Sequence, residues 1–204
     1  MSLWCAAYGA MAFAWSSPMT GRLVYVLGPS GAGKDTLLNY ARAQLAGSPV
    51  LFAHRYITRP PIAGDENFVS LSEREFEVRL PLLAFHWRAH GHRYGVGMEV
   101  EHWRNLGHAV VVSGSRAHFS DFLAADPNVT PVLITATPAL LAKRLAGRNR
   151  EDKKNIAERL LRGATLDVTH PNLERVENSG NVEEAGERLV AIIRNCAADT
   201  GAAA

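Results

Sequence analysis

Gly28-Pro29-Ser30-Gly31-Ala32-Gly33-Lys34-Asp35-Thr36 lies between an apolar run, Leu23-Val24-Tyr25-Val26-Leu27, and a helix-forming run, Leu37-Leu38-Asn39-Tyr40-Ala41. Strand, glycine-rich turn and helix in that order are the setting in which G-x-x-x-x-G-K means a phosphate-binding loop. The glycines let successive backbone N–H groups point inward and bring the main chain close to phosphate oxygens. A helix starting near Lys34 adds the positive end of its dipole. The Lys34 ammonium reaches the β- and γ-phosphates of a nucleotide. Asp35 stands where the motif has a Ser or Thr hydroxyl for Mg²⁺. A carboxylate is also a hard oxygen ligand, so Asp35 and Thr36 are the expected metal-side residues.

Outward from this loop, 204 residues suit one α/β domain with a sizeable core and room for inserts. A net charge of +2 gives no bulk attraction to nucleic acid or to a membrane surface. Arginines instead recur near candidate sites, which fits a small anionic substrate. Cys5 and Cys196 sit near opposite ends without metal-like spacing, so a reducing cytosol is expected rather than a disulfide scaffold. Residues 1–20 lack the basic start of a signal peptide and are too short an apolar run to span a bilayer. They read as a poorly ordered extension without function, with Met19 an alternative start.

Along the chain, strands alternate with helices, the pattern of a parallel sheet covered on both faces. Strands are expected at residues 22–27, 50–57, 109–112, 129–134 and 172–177. Pro131 suggests an edge or an interrupted ladder in the fourth of these. Helices are expected at about 34–46, 98–106, 118–125, from Pro138 to Gly147, at 153–166 and at 182–195. Ser72-Glu73-Arg74-Glu75 reads as a capping box. Residues 58–97 are richer in hairpin than in βαβ and read as a small acceptor-binding lobe. The domain is expected over 21–196, with a lid at about 144–159 and a tail at 197–204.

In an open α/β sheet, ligands gather at the carboxyl ends of the strands. Those ends supply Arg55, Arg59, Ser113, Ser115 and Arg116 beyond the loop, groups suited to capturing phosphate. Arg144 and Arg148 share one helix face, and Arg159 follows on the next helix. That is the layout of a lid closing arginines over a transferring phosphoryl group. The 8 histidines form no helical pair with a carboxylate partner, so no zinc site is expected. A phosphate acceptor is already ionised, so no nucleophile–base pair is needed.

The loop, Thr58-Arg59-Pro60, Tyr94-Gly95 and the Arg144–Arg148 segment, in this order, resemble the guanylate kinase family over about residues 21–196. The resemblance implies a P-loop fold of three layers with a parallel-sheet core, an acceptor lobe and a helical lid. It implies transfer of the γ-phosphoryl group of ATP, with Mg²⁺, to a phosphate acceptor held by Arg59 and Tyr94. Asn178 would lie by the adenosine. Where guanylate kinases carry their guanine readers, this chain has Arg55, Arg88, Val96 and Gly97. Phe68 and Ser113 replace a tyrosine and an acidic residue. A site built to hydrogen-bond a base discriminates strongly when those partners are missing.

Asp35, Ala53-His54-Arg55-Tyr56-Ile57-Thr58-Arg59, Tyr94-Gly95-Val96-Gly97 and Ser113-Gly114-Ser115-Arg116-Ala117-His118 also look like the ribose 1,5-bisphosphate phosphokinases of bacterial phosphonate degradation. This second resemblance implies a cytoplasmic enzyme that makes 5-phosphoribosyl 1-diphosphate, with Arg55 and Arg88 suiting a base-free acceptor that has two phosphates. The partner is then a small phosphorylated sugar, with no nucleic acid, no membrane, and a homodimer left open. The rivals are a nucleoside monophosphate kinase and a non-catalytic guanylate-kinase-like binding module.

Overall fold

The computed structural model describes residues 21–60, 67–126, 129–146 and 168–199. The expectations for residues 1–20, for Arg148 and Arg159, and for the helix at 153–166 lie outside these residues.

Strand β1 (Leu23–Leu27) is buried at every position. Parallel neighbours flank it on both sides, β7 (Ala109–Ser113) and β8 (Val129–Thr135). With β2 (Val50–Phe52) beyond β7 and β9 (Glu174–Glu177) beyond β8, the sheet has five parallel strands in the order β2-β7-β1-β8-β9. A strand with helices over both faces must be apolar throughout, and β1 divides its side chains accordingly. Val24 and Val26 enter a core with α1 (Lys34–Gln44), α5 (Pro138–Ala146) and α6 (Val182–Ala198). Leu23, Tyr25 and Leu27 enter another with α3 (Glu99–Asn105), α4 (Phe119–Ala125) and a second sheet. Helix α6 contributes Leu189, Val190, Ile192 and Ile193, all buried, each worth roughly 1.5–3 kcal/mol. It runs to Ala198, through the first residues read as a tail.

The second sheet has the order β4-β3-β6-β5, from β3 (Arg55–Ile57), β4 (Phe68–Ser70), β5 (Leu83–Ala89) and β6 (His92–Gly97). His90 and Gly91, with φ of 51° and 74°, turn β5 into β6, as a two-residue turn with both central φ positive requires. Helix α2 (Glu73–Arg79) opens on the expected capping box: Ser72 N–H donates to Glu75 Oε2 at 2.7 Å, and Glu75 N–H donates to Ser72 Oγ at 3.2 Å. Below the main sheet, Arg104 donates to the Gly21 carbonyl at 3.1 Å and to buried Asp126 at 2.5 Å.

One expectation is corrected and one is narrowed. Residues 50–57 are not one strand: β2 ends at Phe52, and Ala53-His54 carries the chain out of the main sheet into β3. At Pro131 the interrupted ladder holds and the edge does not, since β8 lies between β1 and β9. Pairing with β9 begins only at Val132, so at Pro131 one side of β8 is still open, where a residue without an N–H is tolerated. Among the described residues, no helix is long and apolar enough to cross a membrane.

Candidate active site

The loop between β1 and α1 is shaped by close approach. A Cβ on Gly28 would lie 2.4 Å from the Ile134 carbonyl oxygen. Gly33 has φ of 84°, and a Cβ there would lie 2.3 Å from Asn178 Nδ2. Gly33 at the N-cap offers no side chain to cap helix α1, which leaves the helix start open to an anion. Lys34 Nζ folds over the same loop, donating to the Gly28 and Pro29 carbonyls at 3.0 and 3.3 Å. Ser30, Gly31 and Ala32 complete the cradle, and Ala32 N–H donates to the Pro29 carbonyl at 3.2 Å. Thr36 is exposed on α1 just beyond.

Asn178 and Arg144 clamp the loop from behind. Asn178 is 1% exposed. Its N–H donates to the Thr135 carbonyl at 2.8 Å and its Nδ2 to the Ala32 carbonyl at 2.7 Å. Arg144 donates to the Gly31 and Ala32 carbonyls at 3.3 and 3.4 Å, and to the Asn178 carbonyl at 3.2 Å. The arginine expected over a transferring phosphoryl group is thus engaged with the loop's main chain, and the asparagine expected by the adenosine seats the loop. No local spacing announces this clamp, because its members meet only through the fold.

Beside the start of α1, Arg55 Nη2 stands 3.4 Å from Asp35 Oδ1. Strand register assigns the faces of the second sheet. Arg55 pairs with Phe68, Ile57 with Tyr94, and Tyr94 with Trp87, so these side chains share the face that packs on the main sheet. Tyr94 is buried and stacked on Trp87, with ring centroids 5.4 Å apart. The Arg59 guanidinium lies over the Phe68 ring at 4.7 Å, so a ring where guanylate kinases carry a tyrosine supports the arginine beside it. Arg88 does not join them. It pairs with Arg93 and projects from the opposite face with Arg93 and His86. Burial first, then the Arg93 and Arg88 guanidiniums, lower the His86 pKa from its ordinary value.

Between α1 and the second sheet is a small open recess lined by Asp35, Arg42, Phe52, Arg55, Asn67 and Ser113. Sequence reading missed Asn67 and Arg42, which carry no motif. The Ser113 hydroxyl is buried and has no hydrogen-bond partner among the described residues. The chain after β7 is fixed by Tyr25, whose hydroxyl accepts from Ser115 N–H at 2.9 Å and donates to the Ser115 carbonyl at 3.2 Å. A Cβ on Gly114 would strike the Tyr25 ring. Arg116 follows in a short 3-10 turn, and burial lowers its pKa.

No family model matches the chain. It is 47% identical over 175 residues to the ribose 1,5-bisphosphate phosphokinase PhnN of Desulfomicrobium baculatum, across 84% of this chain and 94% of that one. It is 48% identical over 179 residues to the protein of the same name from Burkholderia mallei, across 86% and 97%. Among solved structures, the guanylate kinase of Anaplasma phagocytophilum superposes with a TM-score of 0.63 at 17% identity, over 86% of this chain and 85% of that one. The last likeness supports the fold alone, a parallel sheet between helices with a second small sheet beside it. By the identity and coverage of the other two, the chain belongs to the ribose 1,5-bisphosphate phosphokinase PhnN family.

Proposed function

We propose that this protein transfers the γ-phosphoryl group of ATP to the C1 phosphate of ribose 1,5-bisphosphate, giving 5-phosphoribosyl 1-diphosphate and ADP, in cytoplasmic phosphonate catabolism. An oxygen of the C1 phosphate bonds to the γ-phosphorus as the bond to the β–γ bridging oxygen breaks. The acceptor oxygen is already ionised, so the protein's work is positioning and charge stabilisation.

Loop N–H groups of Ser30, Gly31, Gly33 and Lys34 hold the donor phosphates, and the Lys34 ammonium meets the β- and γ-oxygens. Arg144 and Asn178 keep the loop in shape. Arg59 and Tyr94 hold the acceptor phosphate, with Arg55, Ser113 and Arg116 around the rest of the acceptor. Arg148 and Arg159, outside the described residues, are assigned to the developing charge. Arg88 drops out of the acceptor set. Mg²⁺ bound with ATP supplies charge neutralisation at the β- and γ-phosphates. Asp35, a carboxylate, and Thr36, an exposed hydroxyl, are hard oxygen donors beside the loop and would hold it.

The observation that supports this reading is the placement of two arginines about Phe68, Arg55 beside it in register and within 3.4 Å of Asp35 at the loop, and Arg59 over its ring. The test is ADP release by the purified protein with ribose 1,5-bisphosphate and, in parallel, guanosine monophosphate. Turnover with the ribose bisphosphate alone is expected. Turnover with the nucleotide alone overturns the reading, and failure to bind ATP would return the chain to the binding-module class.

A further inference from the structure

We infer that the recess formed by Arg55, Asn67 and Ser113 seats the phosphate that does not react, the one on C5 of the acceptor. The inference rests on the proposed reaction, in which the C1 phosphate receives the new group beside Arg59 and the loop. The C5 phosphate is then a second dianion that needs counter-charge of its own.

The burial and partners of Arg55, Ser113 and Asn67 favour the recess for it. Arg55 is 14% exposed, and a guanidinium drawn out of water binds an anion more strongly than a solvated one. Its contact to Asp35, at 3.4 Å, is longer than the 2.7–2.9 Å of a well-made Arg–carboxylate bond. Asp35 therefore aims the guanidinium with a bond that an arriving phosphate can exchange. The Ser113 hydroxyl, at the carboxyl end of β7, is buried with no partner among the described residues. A hydroxyl left unsatisfied in the interior is destabilising, and a phosphate oxygen in the recess would satisfy it. Asn67 completes the wall beside Arg55, and its carbonyl accepts from Arg55 N–H at 3.2 Å. Arg55 and Arg59 are four residues apart, at most about 14 Å of extended chain between Cα atoms. Two arginine arms can close that span onto the two phosphates of one ribose.

The test is calorimetric binding to the full chain of two probes that each carry one of the phosphates, ribose 5-phosphate and ribose 1-phosphate. Arg55→Met should weaken ribose 5-phosphate about tenfold or more and leave ribose 1-phosphate within about twofold. Arg59→Met should do the reverse. Ser113→Ala should weaken ribose 5-phosphate severalfold, and Arg55→Lys should recover part of the loss. Equal weakening of both probes by Arg55→Met, or none of ribose 5-phosphate, overturns the seat. Should Arg55→Met fail to fold by thermal melting, Ser113→Ala and Arg55→Lys carry the same test. Probe binding that depends on Arg55, in a protein that turns over only guanosine monophosphate, would refute the reaction and leave the seat. Normal turnover of the ribose bisphosphate by Arg55→Met would refute the seat and leave the reaction.

Discussion

The side chain of Asn178, just past the end of β9, donates to the carbonyl of Ala32 at 2.7 Å across 146 positions of sequence. The phosphate loop therefore draws its shape from the far end of the sheet as well as from its own glycines. In Asn178→Ala, the Ala32 carbonyl keeps Arg144 and loses its shorter bond, a loss of about 1–3 kcal/mol. A rise of about tenfold in KM for ATP is expected, with a melting midpoint lower by about 5 °C. A variant with unchanged ATP kinetics would show that the clamp serves stability alone.

Lys34→Ala removes the ammonium that lies over the loop at Gly28 and Pro29. Its contribution is to charge developing on the transferred group, so kcat should fall about a thousandfold. Melting should be little changed. Near-normal turnover would defeat the assignment of this loop to the donor.

Gly33→Ala places a methyl 2.3 Å from Asn178 Nδ2 at a backbone φ of 84°. The left-handed conformation alone costs an alanine about 1–2 kcal/mol, and the overlap must push the clamp aside. ATP binding should be lost by titration calorimetry while circular dichroism reports a folded chain.

Arg104 and Asp126, 2.5 Å apart, are both buried. Arg104→Met leaves a carboxylate in the interior without its cation and should cost about 3–5 kcal/mol in urea unfolding. Pairing it with Asp126→Leu removes the stranded charge and should restore most of that stability. Equal losses in the single and double variants would mean that the charge is not the cause.

Burial pushes the Tyr25 hydroxyl up to about 12, while in the unfolded chain it titrates near 10. Between those values the folded state binds more protons than the unfolded one. This share of stability is therefore complete below pH 10 and is lost as pH rises toward about 12. Tyr25→Phe should flatten that part of the stability profile. An ultraviolet titration should lose its last-ionising phenol in the same variant.

The strand, loop and first helix were legible because an apolar run, a glycine-rich turn and a helical run each have a local cause. The break at Ala53-His54 was not. Neither residue is a turn former, and the β-prone residues on both sides give one continuous signal, although they belong to different sheets. The displacement of Arg88 could have been read. A two-residue turn at His90-Gly91 pairs Ala89 with His92 and so Arg88 with Arg93, which puts Arg88 on the face opposite Tyr94. The approach of Arg55 to Asp35 and the clamp of Asn178 on Ala32 join distant segments, and no local pattern encodes either.

The clamp also orders events during synthesis. The ribosome finishes the phosphate loop early, but its Asn178 fastener emerges only after β7, β8 and β9 have been made. Because chains begin to fold as they emerge, a nascent chain carries the complete nucleotide motif through most of its translation without the grip that shapes it. Firm nucleotide binding is thereby expected only of chains translated past β9, and a product cut short before that point keeps the signature with a weaker hold on the nucleotide.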